Sequence, residues 1–299
     1  MKFHTISKII KLGRLKFLIG GFLLFSFGSL LAVLSGTKFI LNRFLLGYAI
    51  LFMAHLSVSY SNDYFDVDVD RYGKPTAISG GTGVLLQNPE LRTFSKRFAI
   101  VLISLSMVLA LIFTILFSYP ASFPIFVLLG NLLGWYYTAP PLKLGYHKFS
   151  EIVVVLTIGF MVPGMGYFVL KREFDFLFLI FVLPLMFYGL SFIISVEIPD
   201  MEGDRLGNKN TLVVRKGREF GFTLVAFSLS LGTLYFLILG IMNLVPTIID
   251  FLLIAVFSLP PLCLGILGLL RRPTDRNFAT KLVSRIVSSF YLFILIVDC

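Results

Sequence analysis

The sequence predicts an all-α membrane protein in which nine transmembrane helices form one bundle with a polar cavity on the cytoplasmic side. Three observations carry this prediction. Hydrophobic residues make up 57% of the 299 residues and charged residues only 14%, which is far more apolar than a soluble domain of this length. The apolar residues fall into stretches long enough to cross about 30 Å of hydrocarbon. The basic residues concentrate in alternate connections between those stretches.

The apolar stretches run from near the N-terminus to near the C-terminus, and we read residues 1–299 as a single domain. The basic segment 1–16 precedes a long apolar stretch without a small-residue cleavage pattern, so the first span is expected to be uncleaved rather than a signal peptide. The predicted spans are residues 17–34, 39–60, 98–117, 123–137, 149–170, 176–196, 220–239, 247–270 and 279–297.

The distribution of Lys and Arg predicts the orientation of these spans. With the N-terminus in the cytoplasm, the cytoplasmic segments hold twenty-two of the 26 basic residues. The opposite side holds only Lys38, Arg43, Lys171 and Arg172. The protein is therefore expected to be a multi-pass protein of the cell membrane. The net charge of +10 is explained by positive loops facing anionic lipid, so no nucleic-acid partner is needed.

The first acidic motif lies at the end of the second predicted span and reads Asn-Asp-Tyr-Phe-Asp-Val-Asp-Val-Asp. On a helix, Asn62, Asp63, Asp66 and Asp70 share one face, while Asp68 points to the opposite side. Oxygen ligands of this kind suit Mg²⁺, which commonly uses one or two carboxylates together with substrate phosphate and water. The alternative is a helix end whose acids are simply solvated.

The second acidic motif lies at the end of the sixth predicted span, again on the cytoplasmic side. Its acids on one helical face are Glu197, Asp200 and Asp204. Glu202 is turned away, and the spacing repeats that of the first motif. Pro199 and Gly203 weaken the helical assignment here. Two facing carboxylate sets would repel each other unless a metal ion and an anion lay between them.

Basic residues follow both motifs. Arg71 and Lys74 precede a glycine-rich turn, Ser-Gly-Gly-Thr-Gly at residues 79–83. Its backbone amides could hold an anion, although such turns are commonly just flexible loops. Lys143 follows the fourth span after a Pro pair, and the alternative for this segment is an interfacial aromatic belt with an inside lysine. Lys209 and Asn210 follow the second motif. Acids for a metal and bases for phosphate, in both halves of the chain, indicate a metal–diphosphate site.

Three polar residues lie inside predicted spans. His55 and Ser59 extend the face of the first motif into the membrane, and Asn131 lies in the fourth span. Polar groups at that depth tend to face a cavity, so these residues are candidates for lining a substrate pocket. The alternative is that they only form hydrogen bonds to neighbouring helices.

These motifs resemble those of the UbiA superfamily of intramembrane prenyltransferases. Asn62-Asp63-x-x-Asp66-x-x-x-Asp70 matches the family's first motif in full. Glu197-x-x-Asp200-x-x-x-Asp204 matches the second motif, with Glu where the family has Asp. The family's basic motif after span four has Tyr and Lys four apart, whereas Tyr137 and Lys143 are six apart here.

The resemblance implies transfer of a polyprenyl group, for example from geranylgeranyl diphosphate, to an acceptor in the lipid bilayer. It implies Mg²⁺, as two ions that bridge the diphosphate. The implied metal residues are Asn62, Asp63, Asp66, Asp70, Glu197, Asp200 and Asp204. The implied catalytic residues are Asp66, Asp70, Asp200 and Asp204. The implied diphosphate-binding residues are Arg71, Lys74, Tyr137, Lys143, Lys209 and Asn210.

The acceptor suggested by the resemblance is an aromatic quinone precursor, and the alternative is a glycerol-phosphate lipid. A divalent-cation transporter is the competing class, because acids within membranes also mark ion paths. It predicts acids near the bilayer midplane and broken helices there, whereas these acids lie at span ends beside basic residues that would repel a permeating cation. The Asp-Gly-x-x-Ala-Arg motif expected of a lipid phosphotransferase using CDP-alcohols is absent from the sequence.

Overall fold

A computed structural model describes residues 2–76, 78–148, 150–243 and 249–298, with side chains from residue 5 onward. Throughout these ranges the regular elements are helical, which agrees with the all-α prediction. The helices are α1 (Lys2–Leu12), α2 (Lys16–Leu34), α3 (Leu41–Phe65), α4 (Val84–Gln87), α5 (Arg92–Phe117), α6 (Ser122–Thr138), α7 (Ser150–Leu156), α8 (Val162–Lys171), α9 (Phe176–Leu206), α10 (Leu212–Lys216), α11 (Arg218–Met242), α12 (Phe251–Phe257), α13 (Leu259–Arg271) and α14 (Arg276–Asp298). A π-helical turn, Thr157–Met161, joins α7 to α8 without a break.

Several helices are long and apolar enough to cross a membrane. Among the described residues, seven helical segments meet this condition, and the bent pair α12–α13 raises the number to eight. Helix α6 coincides with the fourth predicted span, but it has only 17 residues. The structure therefore supports a multi-pass membrane protein with seven or eight candidate spans, and the number nine remains a prediction.

The eighth predicted span, residues 247–270, is not one straight helix in the structure. Helices α12 and α13 are bent by 44° relative to each other. The second of these helices begins Leu-Pro-Pro, and proline has no backbone N–H to continue the hydrogen bonding of the preceding turn. Residues 244–248, which include the expected start of this span, lie outside the described residues.

Close contact between α2 and α8 depends on two glycines. A side chain at Gly28 would collide with the backbone carbonyl of Pro163, and one at Gly166 would collide with the carbonyl of Phe25. Ser29 on α2 also donates a hydrogen bond to the carbonyl of Gly166, at 3.0 Å. Small residues of this kind let membrane helices pack backbone against backbone.

Aromatic side chains close the end of the bundle opposite the acidic motifs. Phe113, Tyr119 and Phe123 pack on one another with ring centroids 4.6–5.4 Å apart. The Tyr119 hydroxyl donates to the carbonyl of Val169 at 2.6 Å, which joins α5 and α6 to α8. The helix ends and short helices at the other end of the bundle carry the motifs.

Candidate diphosphate site

The two acidic motifs lie at the C-terminal ends of α3 and α9. Asn62 and Asp63 are in the last turn of α3, Asp66 caps that helix, and Asp70 closes one further helical turn through its N–H to the carbonyl of Asp66, at 2.8 Å. The second motif lies in the last turns of α9. The sequence suggested that Pro199 would weaken the helix here. Helix α9 nevertheless continues to Leu206, so Pro199 does not end it.

Glycines on α9 allow the loop after the first motif to pack against the second motif. An added side chain at Gly203 would meet the backbone of Gly73 at 2.9 Å, and one at Gly207 would collide with the side chain of Val69. These glycines are one turn apart, so they form a smooth strip on the face that the loop covers. The motifs can approach each other because this strip has no side chains.

Lys209 connects the two motifs. Its ammonium group is 2.9 Å from a carboxylate oxygen of Asp66 and 3.8 Å from one of Asp204. The other oxygen of Asp66 accepts a hydrogen bond from the Tyr146 hydroxyl at 2.6 Å. A positive group thus occupies the gap between the two acidic faces. Tyr146 was missed by the sequence analysis, and no local pattern in the sequence marks it.

These contacts shift the ionisation of both partners of Asp66. Burial alone lowers the pKa of Lys209, but the carboxylates of Asp66 and Asp204 outweigh it and the pKa is raised. Burial and the neighbouring Asp66 carboxylate raise the pKa of Tyr146. Lys209 is therefore held as a cation and Tyr146 as a neutral hydrogen-bond donor.

Asp63 is almost fully buried at the same end of the bundle. One carboxylate oxygen pairs with the guanidinium of Arg14, which lies in the turn between α1 and α2. The other oxygen accepts a hydrogen bond from the hydroxyl of Thr82. Asp63 thus has a basic partner that the sequence analysis did not find, because forty-nine positions separate Arg14 from it.

Asp70 lies directly against the backbone of Gly81 in the glycine-rich turn. Burial, followed by the carboxylates of Asp63 and Asp66, raises the pKa of Asp70 to about 7. This carboxylate is thus held among other negative charges, which is the environment that an added cation would relieve.

The acids of the second motif point in different directions. Asp200 accepts a hydrogen bond from the Ser79 hydroxyl at 2.8 Å, so the glycine-rich turn also contacts this motif. Glu202 faces away, as predicted, and pairs with Arg218. Asp68 of the first motif also faces outward, as predicted, and lies 3.4 Å from Arg71.

Glu197 is buried, with 5% of its surface exposed, and its oxygens have no hydrogen-bond partner of good geometry among the described residues. Its electrostatic neighbours include Glu151, which is itself 3% exposed, and Asp204. A buried carboxylate among other acids is costly without a proton or a cation. This acid is the one place where the second motif departs from the family's Asp.

The structure brings some of the predicted phosphate-binding residues to the acids and leaves others outside. Lys209 lies between the motifs, and Lys143 lies 5.0 Å above the ring of Tyr146. Asn210 donates its backbone N–H to the carbonyl of Tyr146 at 3.0 Å. Arg71 and Lys74 are exposed at the rim.

A cavity of about 390 Å³ extends from the acidic motifs into the bundle. Asn62 and Ser79 line its mouth, and its wall is otherwise mostly apolar. Asn62 also accepts a hydrogen bond from the Thr138 hydroxyl at 2.9 Å. The predicted pocket residues His55, Ser59 and Asn131 all line the cavity. Tyr137, which was predicted to bind the diphosphate, also lines it.

Asn131 lines the cavity and also forms hydrogen bonds within its own helix and to the neighbouring α5. Its amide donates to the Val127 carbonyl at 3.0 Å and to the Ser106 hydroxyl at 3.3 Å. His55 instead packs against the backbone of Gly21 on α2. Tyr291 of α14 packs beside it on Gly20 and also lines the cavity, although the sequence analysis did not select it. The adjacent glycines provide the space for both rings.

The donor set fits Mg²⁺ held together with a phosphate ligand. The motifs supply carboxylate and amide oxygens, and a cation, the Lys209 ammonium, already lies between them. In the described part of the chain, no three acidic, His or Cys side chains converge closely enough to hold a metal ion by themselves.

Comparison with known proteins places the chain in a family. The family model described as the UbiA prenyltransferase family matches residues 22–290. The chain belongs to the UbiA prenyltransferase family. The resemblance drawn from the two motifs is thereby confirmed, and with it the expectation of a family of enzymes.

Solved UbiA structures share the fold over almost the whole chain. A UbiA homolog from Archaeoglobus fulgidus bound to DMAPP and Mg²⁺ has a TM-score of 0.67 and 16% identity, over 97% of this chain and 99% of that one. The same homolog bound to GPP and Mg²⁺ has a TM-score of 0.66 and 17% identity, over 97% of this chain and 99% of that one. A structure described as digeranylgeranylglyceryl phosphate synthase has a TM-score of 0.66 and 17% identity, over 99% of both chains.

A curated relative is similar over a shorter stretch. The 1,4-dihydroxy-2-naphthoate octaprenyltransferase of Bacillus subtilis (strain 168) is 24% identical over 108 residues, which is 36% of this chain. The match spans 35% of that relative's length. The named relatives thus include one with an aromatic acceptor and one named for a glycerol-phosphate lipid.

Proposed function

We propose that this UbiA-family protein transfers a polyprenyl group from its diphosphate to an acceptor within the membrane, in a reaction that requires Mg²⁺. The observation that carries the proposal is the continuity between the acidic site and the apolar cavity. Ser79 contacts Asp200 of the second motif and also lines the cavity mouth, together with Asn62 of the first motif. A diphosphate held by the motifs would therefore have its prenyl chain beside the cavity.

The metal would be held by oxygen atoms of the two motifs, as two ions bridging the diphosphate. The residues proposed for this are Asn62, Asp63, Asp66, Asp70, Glu197, Asp200 and Asp204. Mg²⁺ bound there would neutralise the charge that develops on the leaving diphosphate. Asp66, Asp70, Asp200 and Asp204 are the residues proposed to be catalytic.

Basic side chains would bind the diphosphate oxygens from the same end of the bundle. Lys209 and Lys143 both lie against the Tyr146 ring, with their ammonium groups 5.2 and 5.0 Å from its centroid. Charge-assisted hydrogen bonds from such groups are stronger than neutral ones. The further residues proposed to bind the diphosphate are Arg71, Lys74, Tyr137 and Asn210.

The reaction needs an environment without water. The allylic carbon–oxygen bond breaks, its electron pair leaves with the diphosphate, and the acceptor forms a new bond to the allylic carbon and loses a proton. Water at that carbon would give an alcohol instead. A mostly apolar wall is unfavourable for water, and its aromatic members, such as Phe126 and Phe290, can face a carbocation.

An aromatic quinone precursor is the proposed acceptor, and a glycerol-phosphate lipid is the alternative. The cavity offers few polar groups away from its mouth, among them those of His55, Asn131 and Tyr291. A flat acceptor with a few hydroxyl groups suits a small apolar cavity with polar groups of this kind. The names of the naphthoate and glyceryl-phosphate relatives support these two classes.

The proposed placement is the cell membrane, with nine spans and the N-terminus and both motifs on the cytoplasmic side. Helix α6, with 17 residues, reaches about 26 Å and could serve as a short ninth span. The asymmetry of basic residues supports the orientation. Labelling of engineered cysteines at Lys38 and Lys148 from each side of sealed vesicles tests it, with Lys148 expected to react from the cytoplasmic side.

The experiment that tests the function uses purified protein in lipid with radiolabelled geranylgeranyl diphosphate. Dihydroxynaphthoate, 4-hydroxybenzoate and geranylgeranylglyceryl phosphate are offered separately, with and without Mg²⁺. A labelled product that forms only with Mg²⁺ supports prenyl transfer, and the acceptor that yields it identifies the class. No product with any acceptor, together with Mg²⁺ uptake into vesicles containing the protein, would favour the transporter instead.

A further inference from the structure

A groove of about 590 Å³ lies at the motif end of the bundle but outside the acidic site. The loop residues Pro75 and Thr76 form one wall, and the first turns of α14 form the other. The α14 residues that line the groove are Arg276, Asn277, Thr280, Lys281, Ser284 and Arg285. We call this feature the basic groove. None of its lining residues is acidic.

The basic residues in the groove differ in their contacts. Arg276 is engaged with the protein, because its guanidinium donates to the carbonyls of Pro199 and Lys74, at 2.8 and 2.9 Å. Lys281 and Arg285 are exposed one turn apart, and neither forms a salt bridge within the described residues. The nearby acid Asp275 is directed at the start of α14, where it accepts the N–H of Phe278 at 2.7 Å. Two cations in the groove thus lack an acidic partner.

The exposed face of α14 continues from this groove along the helix and changes character. Asn277, Lys281, Arg285 and Ser288 are exposed in its first half, and Leu292 and Leu295 are exposed on the same face in its second half. Leu295 lies ten positions after Arg285, and ten residues of helix rise about 15 Å along the axis. That distance is about half the thickness of the hydrocarbon core. The face therefore changes from cationic to apolar over the length of one lipid leaflet.

We infer that the basic groove is a binding site for one anionic phospholipid, whose phosphate headgroup contacts Lys281 and Arg285 and whose acyl chains lie along the exposed leucines of α14. The headgroup supplies the negative charge that these side chains lack, and Thr280, Ser284 and Asn277 supply hydrogen-bonding groups beside them. Basic pockets between helices on one side of a membrane are known to hold anionic headgroups. The inference does not depend on the proposed enzymatic reaction.

The site would also steady the catalytic end of the bundle. Thr76 in the groove wall lies 2.8 Å from Ser79, hydroxyl to hydroxyl, and Ser79 in turn donates to Asp200. A lipid that packs against this wall restricts the loop that contacts both motifs. Binding is therefore expected to raise the thermal stability of the intact protein.

The test measures retention of phosphatidylglycerol and of phosphatidylcholine with identical chains on the detergent-purified protein, by native mass spectrometry and by thermal shift. The variant is Lys281→Gln/Arg285→Gln. The matched control is Arg97→Gln/Lys216→Gln, which removes two exposed basic charges elsewhere. Because each basic residue near an anionic lipid is worth about 1 kcal/mol, the groove variant is expected to bind phosphatidylglycerol roughly thirtyfold more weakly. The control is expected to stay within about threefold of the unmodified protein.

If phosphatidylglycerol binding weakened equally in the groove variant and the control, the inferred site would be wrong, because the result would show only a general effect of charge. If the unmodified protein retained phosphatidylcholine as well as it retains phosphatidylglycerol, the inference that the site selects an anionic headgroup would be wrong. If the double variant does not fold, Lys281→Glu provides a single exposed substitution with the same expected direction. Retention of phosphatidylglycerol by that variant at the unmodified level would also contradict the inference.

Discussion

Lys209 stabilises the acidic site by standing between carboxylates from both motifs. Its ammonium lies 2.9 Å from Asp66 and 3.8 Å from Asp204, and the side chain is only 16% exposed. Without it, two largely buried acids would face each other with no positive charge between them. Mg²⁺ bound at the same place would reduce that repulsion.

The substitution Lys209→Gln should therefore destabilise the metal-free protein more than the metal-bound one. We expect a loss of about 3 kcal/mol without Mg²⁺, since breaking a buried ion pair leaves an uncompensated charge. Differential scanning fluorimetry with increasing Mg²⁺ would show a larger metal-induced rise in Tm than the unmodified protein shows. Lys216→Gln, at an exposed position, is the control, and an unchanged rise in the Lys209 variant would contradict the account.

A second residue-scale prediction concerns Arg14 and Asp63. Arg14→Gln leaves Asp63 buried without its basic partner, and we expect a loss of about 3 kcal/mol in the free energy of unfolding. The double variant Arg14→Gln/Asp63→Asn removes both charges and should recover most of this loss. Thermal unfolding in detergent measures both changes. No recovery in the double variant would show that Arg14 acts through packing instead.

Helical periodicity was enough to predict which acids point outward. Asp68 and Glu202 do so, and each pairs with a nearby basic residue. It could not predict Arg14, Thr82 or Tyr146 as partners of the acids. Those contacts join segments far apart in the chain, and no local spacing determines them. Tyr291 was missed for the same reason, since its position in the cavity depends on how α14 packs on α2.

At the scale of elements, the path of α9 decides how the motifs meet. The helix contains Pro184 and Pro199 and still continues to Leu206. Its Gly203 lies against the backbone of Gly73, so the loop from the first motif packs on the second. The spacing of the acids predicts one shared face, but only the packed structure shows that this face is covered by the loop.

The substitution Gly203→Ala is expected to separate the motifs. The added methyl would meet the Gly73 backbone at 2.9 Å, which the loop can relieve only by moving away. We expect a destabilisation of about 1–3 kcal/mol and a prenyl-transfer kcat/KM lower by roughly tenfold. Unfolding and steady-state kinetics measure the two effects.

The matched control is Gly73→Ala, on the other side of the same contact. A methyl there meets only the Asp70 carbonyl, at 3.9 Å, which is ordinary van der Waals contact. This variant should behave like the unmodified protein. Equal losses in both variants would mean that the loop tolerates no change at all and that the strip on α9 has no special role.

The shape of the eighth predicted span shows the limit of composition at this scale. Apolar length alone predicted residues 247–270 as one span, and the structure forms that stretch as two helices, α12 and α13, bent by 44°. Pro260 and Pro261 near the start of α13 explain the bend, because they remove two backbone donors at the junction. The prolines were visible in the sequence, but whether they kink, break or merely start a helix depends on the packing around them.

At the scale of the whole molecule, the proposed function predicts that the cavity limits the length of prenyl chain that fits. Its volume is about 390 Å³, and Met165 of α8, which is only 3% exposed, is one of its lining residues. A larger side chain there would reduce the space available to the chain. Donors with longer chains should be affected most.

We expect Met165→Trp to lower kcat/KM for geranylgeranyl diphosphate at least tenfold more than for dimethylallyl diphosphate. Competition between the two donors in one reaction measures this ratio directly. Leu132→Trp is the control, because Leu132 is 40% exposed on the outer side of α6. A uniform loss with both donors in the Met165 variant would indicate disruption of the fold rather than a shorter cavity.

The most direct test of the account is Mg²⁺-dependent release of diphosphate from a labelled prenyl diphosphate, with an acceptor that gives product. Asp66→Ala and Asp200→Ala are compared with Asp68→Ala, whose side chain is 69% exposed and faces away from the site. We expect a loss of about a hundredfold or more in each of the first two variants and a change within about twofold in the third. Mg²⁺-dependent turnover that survives in either Asp66→Ala or Asp200→Ala would contradict the claim that the two motifs form one metal–diphosphate site.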